Sequence, residues 1–163
     1  MNISPSGIEF IKSWEKLRLN SYLDAPSTSI WTIGYGHTKG VYANQTISVD
    51  QAKQFLNEDL AIVESMINYY CKNVDLSQNQ FDALCSLVFN VGAGTIFTKV
   101  YNNGYKKGSS LYNLLLAGEI DKAGDHFTDF VMAGGQKMQG LVNRRKSEQN
   151  LFKKKSLCSQ CGQ

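Results

Sequence analysis

The 163-residue sequence has only two prolines, no low-complexity stretch and no internal repeat. Nothing marks a linker, so the chain reads as one continuous unit. No uninterrupted apolar run approaches the roughly 20 residues that a membrane-spanning helix requires. The opening Met1-Asn2-Ile3-Ser4-Pro5-Ser6-Gly7 carries neither the basic nor the apolar region of a signal peptide. The expectation is a chain that stays in the cytoplasm or is exported by another agent. Also absent are the P-loop, the GxGxxG dinucleotide turn, the HExxH zinc pair and the GxSxG nucleophile elbow. Nucleotide hydrolysis, hydride transfer, zincin proteolysis and α/β-hydrolase chemistry lose their usual support. Seventeen Lys plus Arg against fourteen Asp plus Glu leave a net charge of +3. That surplus favours an anionic polymer but is too small for the footprint of a dedicated nucleic-acid binder.

The four cysteines are of two kinds. Cys71 and Cys85 stand among apolar neighbours and read as buried, reduced thiols. Cys158 and Cys161 form a lone CxxC in a polar tail, two ligands where a zinc site needs four. A loose tail over 156–163, following one domain over 1–155, is the expectation there.

What is present is helical periodicity interrupted once. Ser6 with Glu9 reads as a capping box opening a first helix, with Ile8, Ile11 and Glu15 on one face. Residues 22–47 are rich in β-branched and aromatic types punctuated by Gly34, Gly36 and Gly40, which predicts short antiparallel strands and tight turns. Ser48 with Gln51 opens a helix carrying Ala52, Phe55, Leu56, Val63, Met66 and Ile67. Ser77 with Gln80 opens another carrying Phe81, Leu84, Cys85 and Val88, ended by Gly92 and Gly94. Shorter helices are expected near 111–117 and 121–131, and a last one over about 138–152. A small β segment of about 20–47 in a mostly helical chain is an α+β pattern.

Few side chains in this frame could do chemistry. Glu15 lies on an apolar face; either it borders the stripe and reaches water, or it is held against apolar groups, where a carboxyl resists ionising. Asp24 precedes Ala25-Pro26 and could simply bond its own turn. Together the two could instead flank one glycosidic bond, as an acid and an opposing base or nucleophile. Asp59 sits on the stripe of its helix and needs a partner, for which His37 is the natural candidate. Their pairing reads as a structural tie or, alternatively, a catalytic dyad. Arg144 and Arg145 are either a solvated face or a source of one inward guanidinium. His126 is isolated and is assigned nothing.

In combination these pieces resemble a known family. Ser13-Trp14-Glu15-Lys16-Leu17-Arg18-Leu19-Asn20-Ser21-Tyr22-Leu23-Asp24, then Thr32-Ile33-Gly34-Tyr35-Gly36-His37-Thr38, is similar to the active-site region of phage lysozymes and endolysins of glycoside hydrolase family 24. Gln80-Phe81-Asp82-Ala83-Leu84, Phe89-Asn90-Val91-Gly92-Ala93-Gly94 and Gly140-Leu141-Val142-Asn143-Arg144-Arg145 with Glu148 resemble that family's later blocks. The match runs in order over roughly residues 4 to 153. It departs in two places: seven residues separate Asp24 from Thr32 where five are usual, and Lys16 stands where glycine is common.

The resemblance implies a two-lobed lysozyme fold around a glycan cleft. It also implies hydrolysis of the β-1,4 bond between N-acetylmuramic acid and N-acetylglucosamine in bacterial peptidoglycan. Under it Glu15 is the general acid, Asp24 its acidic partner, and Thr32 helps hold the attacking water. His37 and Asp59 are a structural ion pair, Arg144 lies near the glutamate, and Thr38 and Phe89 line the cleft. The resemblance further implies a monomer that needs no metal or cofactor. Such a chain waits in the host cytoplasm until a separate holin lets it reach the wall. Lytic transglycosylase activity and silent peptidoglycan binding are the competing readings.

Overall fold

The structure is a computed structural model and describes residues 1–23, 29–100 and 106–154. Asp24, Cys158 and Cys161 lie outside these described residues, as does the tail over 156–163.

Helix α1 spans Pro5–Trp14. Its cap is Ser4 and not Ser6: the Ser4 hydroxyl accepts the Gly7 N–H at 3.0 Å, and Pro5 occupies the first helical position. Proline suits that position because its missing N–H would have had no partner there. Glu9 does not close a box but pairs with Lys12 at 2.7 Å. The start of α1 is fixed by the buried Asp82, which accepts from the Ser4 N–H at 2.9 Å and the Ser4 hydroxyl at 2.5 Å. Gly7 permits this approach, since a Cβ there would stand 2.7 Å from both Asp82 Cγ and Ile3.

Strand β1, Arg18–Leu23, pairs antiparallel with β2, Trp31–Gly34. The register is Tyr22 with Thr32 and Leu23 with Trp31, with an irregularity between Arg18 and Tyr22. The chain returns along β1, Ser21 donating to Gln45 and Ile47 to Leu19, both at 2.9 Å. The β segment thus begins at Arg18, four residues before the sequence pattern turns clearly β-like.

Helix α2, Val49–Tyr70, and helix α3, Gln78–Val91, open with the two expected capping boxes, Ser48 with Gln51 and Ser77 with Gln80. On α2 the buried stripe is Ala52, Leu56, Leu60, Val63 and Ile67; Met66, expected inside, is exposed. From Phe81 to Val88 every α3 residue is buried, because α1, α2, α7 (Gln139–Lys153) and the short α4 (Ala93–Phe97) all pack on it. Such burial of a large apolar side chain contributes about 1.5–3 kcal/mol. Gly92 ends α3 with φ +83, but Gly94 does not end it and lies within the short α4.

Strands β3 (Lys99–Val100) and β4 (Lys106–Lys107) pair antiparallel. Helices α5 (Ser110–Leu116) and α6 (Ile120–Asp125) follow, and a 3₁₀ turn at His126–Asp129 replaces the second half of the helix expected over 121–131. Strands β5 (Met132–Ala133) and β6 (Gln136–Lys137) close a hairpin at Gly134-Gly135, both with positive φ, and lead into α7. Among the described residues no helix is long and apolar enough to cross a membrane.

Cys71 and Cys85 are buried free thiols. Burial raises Cys71 to about 11. Burial pushes Cys85 higher still, with the Asp82 and Glu64 carboxylates adding to it. A folded-state value above the unfolded one means that stability is complete at lower pH and is lost as pH rises. Unfolding free energy should therefore fall from about pH 9 to about 11, and less steeply in Cys71→Ala/Cys85→Ala. Alkylation followed by peptide mass spectrometry should label both thiols only after denaturation; ready labelling of the native protein would contradict their burial.

Candidate active site

Glu15 is the residue that ends α1. Its N–H still reaches Ile11 at 3.2 Å, but its backbone is extended (φ −99, ψ 127), so the chain leaves the helix there. The carboxyl stands at the junction of helix and β segment, one-fifth exposed. This differs from a place on the helix's apolar stripe, and it lies between the two sequence alternatives: partly sheltered, yet open on one side.

Its first neighbour comes from the other end of the chain. Arg144 Nη1 on α7 donates to Glu15 Oε1 at 2.5 Å. Its second neighbour is the turn after β2. Ile33 and His37 exchange both backbone bonds at 2.9 Å, which closes a three-residue loop of Gly34, Tyr35 and Gly36. Gly34 and Gly36 have φ +66 and +97, values that disfavour a side chain. A Cβ on Gly36 would stand 4.0 Å from Glu15 Oε2. The loop backbone therefore faces the carboxylate oxygen that Arg144 does not hold.

Thr32 is buried in β2, and its Oγ1 has no hydrogen-bond partner among the described residues. A buried hydroxyl without a partner is uncommon in a folded protein. Asp24 would follow directly on Leu23, the β1 residue paired with Trp31, but it falls outside the described residues.

His37 and Asp59 are brought together, Nδ1 to Oδ2 at 2.8 Å. His37 Nε2 donates to the Lys39 carbonyl at 2.9 Å, and the ring stacks on Phe55 with centroids 4.4 Å apart. Both ring nitrogens are engaged, so the pair ties the β segment to α2 and offers substrate no free nitrogen. Thr38 is exposed, and its carbonyl accepts the Val41 N–H. Phe89 is half-buried against the core. His126 pairs with Asp129 at 2.7 Å at the surface.

Arg144 and Arg145 are both buried, which excludes the solvated-face alternative. Between them lies a residue that sequence reasoning gave no role. Glu148 is fully buried, and its Oε1 accepts from Arg144 Nε at 3.0 Å and from the Ser86 hydroxyl at 2.6 Å. Its Oε2 is 3.1 Å from Arg145 Nε, and Arg145 Nη2 donates to Asn90 Oδ1 at 2.6 Å. The signal was spacing: Glu148 is four residues from Arg144 and three from Arg145, on one helix face. Burial lowers Arg145 to about 10, against the pull of Glu148. Burial raises Glu148 above the ordinary carboxylate value, opposed by both arginines and Ser86.

Asn90 also lines an open cavity of about 740 Å³ with Val91, Thr95, Phe130, Met132 and Leu141 among its walls. Asn90 thus links the buried Arg145 to a cavity of mixed polar and apolar lining. No group of three or more His, Cys, Asp or Glu among the described residues is placed to hold a metal ion.

Residues 12–148 match the phage lysozyme family model. The chain is 39% identical over 153 residues to an endolysin of Bacillus phage B103, a match covering 93% of this chain and 54% of that protein. It therefore spans about half of that relative's length. It is also 39% identical over 156 residues to an endolysin of Acyrthosiphon pisum secondary endosymbiont phage 1, covering 93% of this chain and 98% of that one. Among solved structures, the active form of the P1 phage endolysin Lyz superposes with a TM-score of 0.82 at 28% identity, covering 93% of this chain and 85% of the other. By sequence, by architecture and by the match across its helical and β segments alike, the chain belongs to the phage lysozyme family.

Proposed function

We propose that this protein is a muramidase that hydrolyses the β-1,4 bond between N-acetylmuramic acid and N-acetylglucosamine in bacterial peptidoglycan, with inversion. The observation that carries the reading is the setting of Glu15. It is a partly sheltered carboxyl at a helix end, with one oxygen on Arg144 and the other facing the Gly36 loop. Glu15 protonates the departing glycosidic oxygen while positive charge develops at the muramic acid carbon. Asp24, following β1, takes a proton from a water that attacks the opposite face, and the Thr32 hydroxyl helps to hold that water. Inversion requires space for the water, so the two carboxyl groups stand about 6.5–9.5 Å apart in this mechanism.

The unpartnered Thr32 Oγ1 supports its share of the work. The net charge of +3 favours an anionic wall. Residues 1–155 act as one catalytic domain and 156–163 as a tail. The protein works as a monomer, remains in the host cytoplasm until a holin opens the membrane, and then lyses the cell.

Incubation with purified peptidoglycan should release fragments with a reducing N-acetylmuramic acid end, read by mass spectrometry. Anhydro-muramic ends would make it a transglycosylase, and binding without release would make it a silent wall binder. Glu15→Gln should lower turnover by roughly 10²–10⁴-fold, the usual contribution of a general acid, without losing the fold. Thr32→Val is nearly isosteric and removes a hydroxyl that has no partner among the described residues, so stability should hold or rise while turnover falls. Gly36→Ala should cost about 1–3 kcal/mol of stability through its φ of +97, measurable by urea unfolding.

A further inference from the structure

We infer that Glu148 is a positioning residue for the reaction: it grips the Arg144 guanidinium from behind and offsets the charge of Arg145, so that Glu15 can carry the proton it donates. The inference rests on the reading of Glu15 as that donor.

Two arginines adjacent in sequence are both buried on α7. Like charges side by side in a sheltered site repel, and each alone would draw a nearby carboxyl toward its ionised form. Glu15 is in direct contact with Arg144, and its charge is also felt by Arg145. With those two cations alone as neighbours, nothing would offset the positive charge that faces Glu15.

Glu148 changes that balance in two ways. Its Oε1 takes the Arg144 Nε at 3.0 Å, leaving Nη1 for Glu15. The guanidinium is thereby shared between two carboxyls, and it meets Glu15 through the single nitrogen Nη1. Its Oε2 stands 3.1 Å from Arg145 Nε, which places a negative charge between the two cations. The Ser86 hydroxyl donates to Oε1 at 2.6 Å and fixes the carboxyl from α3.

The described charged groups that interact here are Glu15 at the end of α1 and Arg144, Arg145 and Glu148 on α7. From α3 come the neutral Ser86 and Asn90, and from the β2 loop the backbone of Gly36. His37, next to Gly36, is committed to Asp59. Glu148 is too deeply buried to touch a glycan, so its part in the reaction is exercised through Arg144.

The test is the pH profile of peptidoglycan hydrolysis, run on wild type, Glu148→Gln, Arg145→Met and Glu15→Gln, with the Glu15 carboxyl followed in parallel by carbon-13 NMR. Glu148→Gln keeps the shape and removes the negative charge. Its alkaline limb and the Glu15 titration should both move to lower pH, by on the order of one unit, while the acidic limb, assigned to Asp24, stays in place. Arg145→Met removes a positive charge and should move the same limb to higher pH; it decides the matter if Glu148→Gln does not fold. Glu148→Asp should restore part of the wild-type profile. A Glu148→Gln protein that is slower at every pH with its limb and Glu15 titration unmoved would overturn the inference. So would an Arg145→Met limb that stays put. If Glu15→Gln itself keeps activity and the alkaline limb, the donor assignment fails first, an outcome separate from either of these.

Discussion

The site depends on a buried set of charges that must balance. Arg144, Arg145 and Glu148 stand on one helix, away from water, and Glu15 joins them from the far end of the chain. Removing such groups from water costs several kcal/mol each, and only close pairing offsets it. Two guanidiniums and two carboxyls supply most of that pairing, with Ser86 and Asn90 of α3 taking one bond each, while Arg144 Nη2 and Arg145 Nη1 have no partner among the described residues. The ion pair that presents Glu15 is therefore the outer edge of an interior network, and its geometry follows from how α7 lies on α3. Phe152, fully packed against Phe127, holds the C-terminal end of α7 in that position.

Glu15 is held from three directions because three unrelated pieces of chain meet there. The start of α1 is pinned to α3 through Ser4 and Asp82, with Gly7 allowing the close approach. The end of α1 meets α7 through Arg144. The β segment leans on the same point through the Gly36 loop, which is itself tied to α2 by His37 and Asp59. The two ends of a ten-residue helix are thus fixed by different partners, and the carboxyl at its last turn inherits both constraints. A separation of roles follows: His37 and Asp59 hold the β segment in place, while Glu15 keeps one side open.

Much of this was legible in the sequence because it is local. The capping boxes at Ser48 and Ser77 depend on residues three apart, and both form as read. The α+β pattern, the switch from helix to strands and the pairing of His37 with Asp59 came from periodicity and the need of a buried charge for a partner. What was not legible depends on distant contacts. Ser6 and Glu9 have the right spacing for a cap, yet Asp82, far along the chain, selects Ser4 instead. Met66 fits the α2 stripe, but no element covers it. The hairpins at Lys99–Val100 and Met132–Ala133 have strands of two residues, too short to show alternation, although Gly134-Gly135 carried the turn signal. The burial of both arginines rested on where α7 docks, and no pattern within α7 says that. The spacing of Glu148 made it available as a partner; only the fold shows that it is used. Asp24, central to the chemical reading, falls outside the described residues.

The claim that the site is built on balanced interior charges is tested most directly by a double-mutant cycle on stability. Arg145→Met, Glu148→Leu and the combined variant would be unfolded in urea alongside wild type. Glu148→Leu leaves Arg145 buried without a carboxylate and should lose about 3–5 kcal/mol; Arg145→Met leaves Glu148 on Arg144 and Ser86 and should lose less, and the double, with neither charge left, should lose less than the sum. Losses that simply add, or single changes that cost almost nothing, would contradict the account.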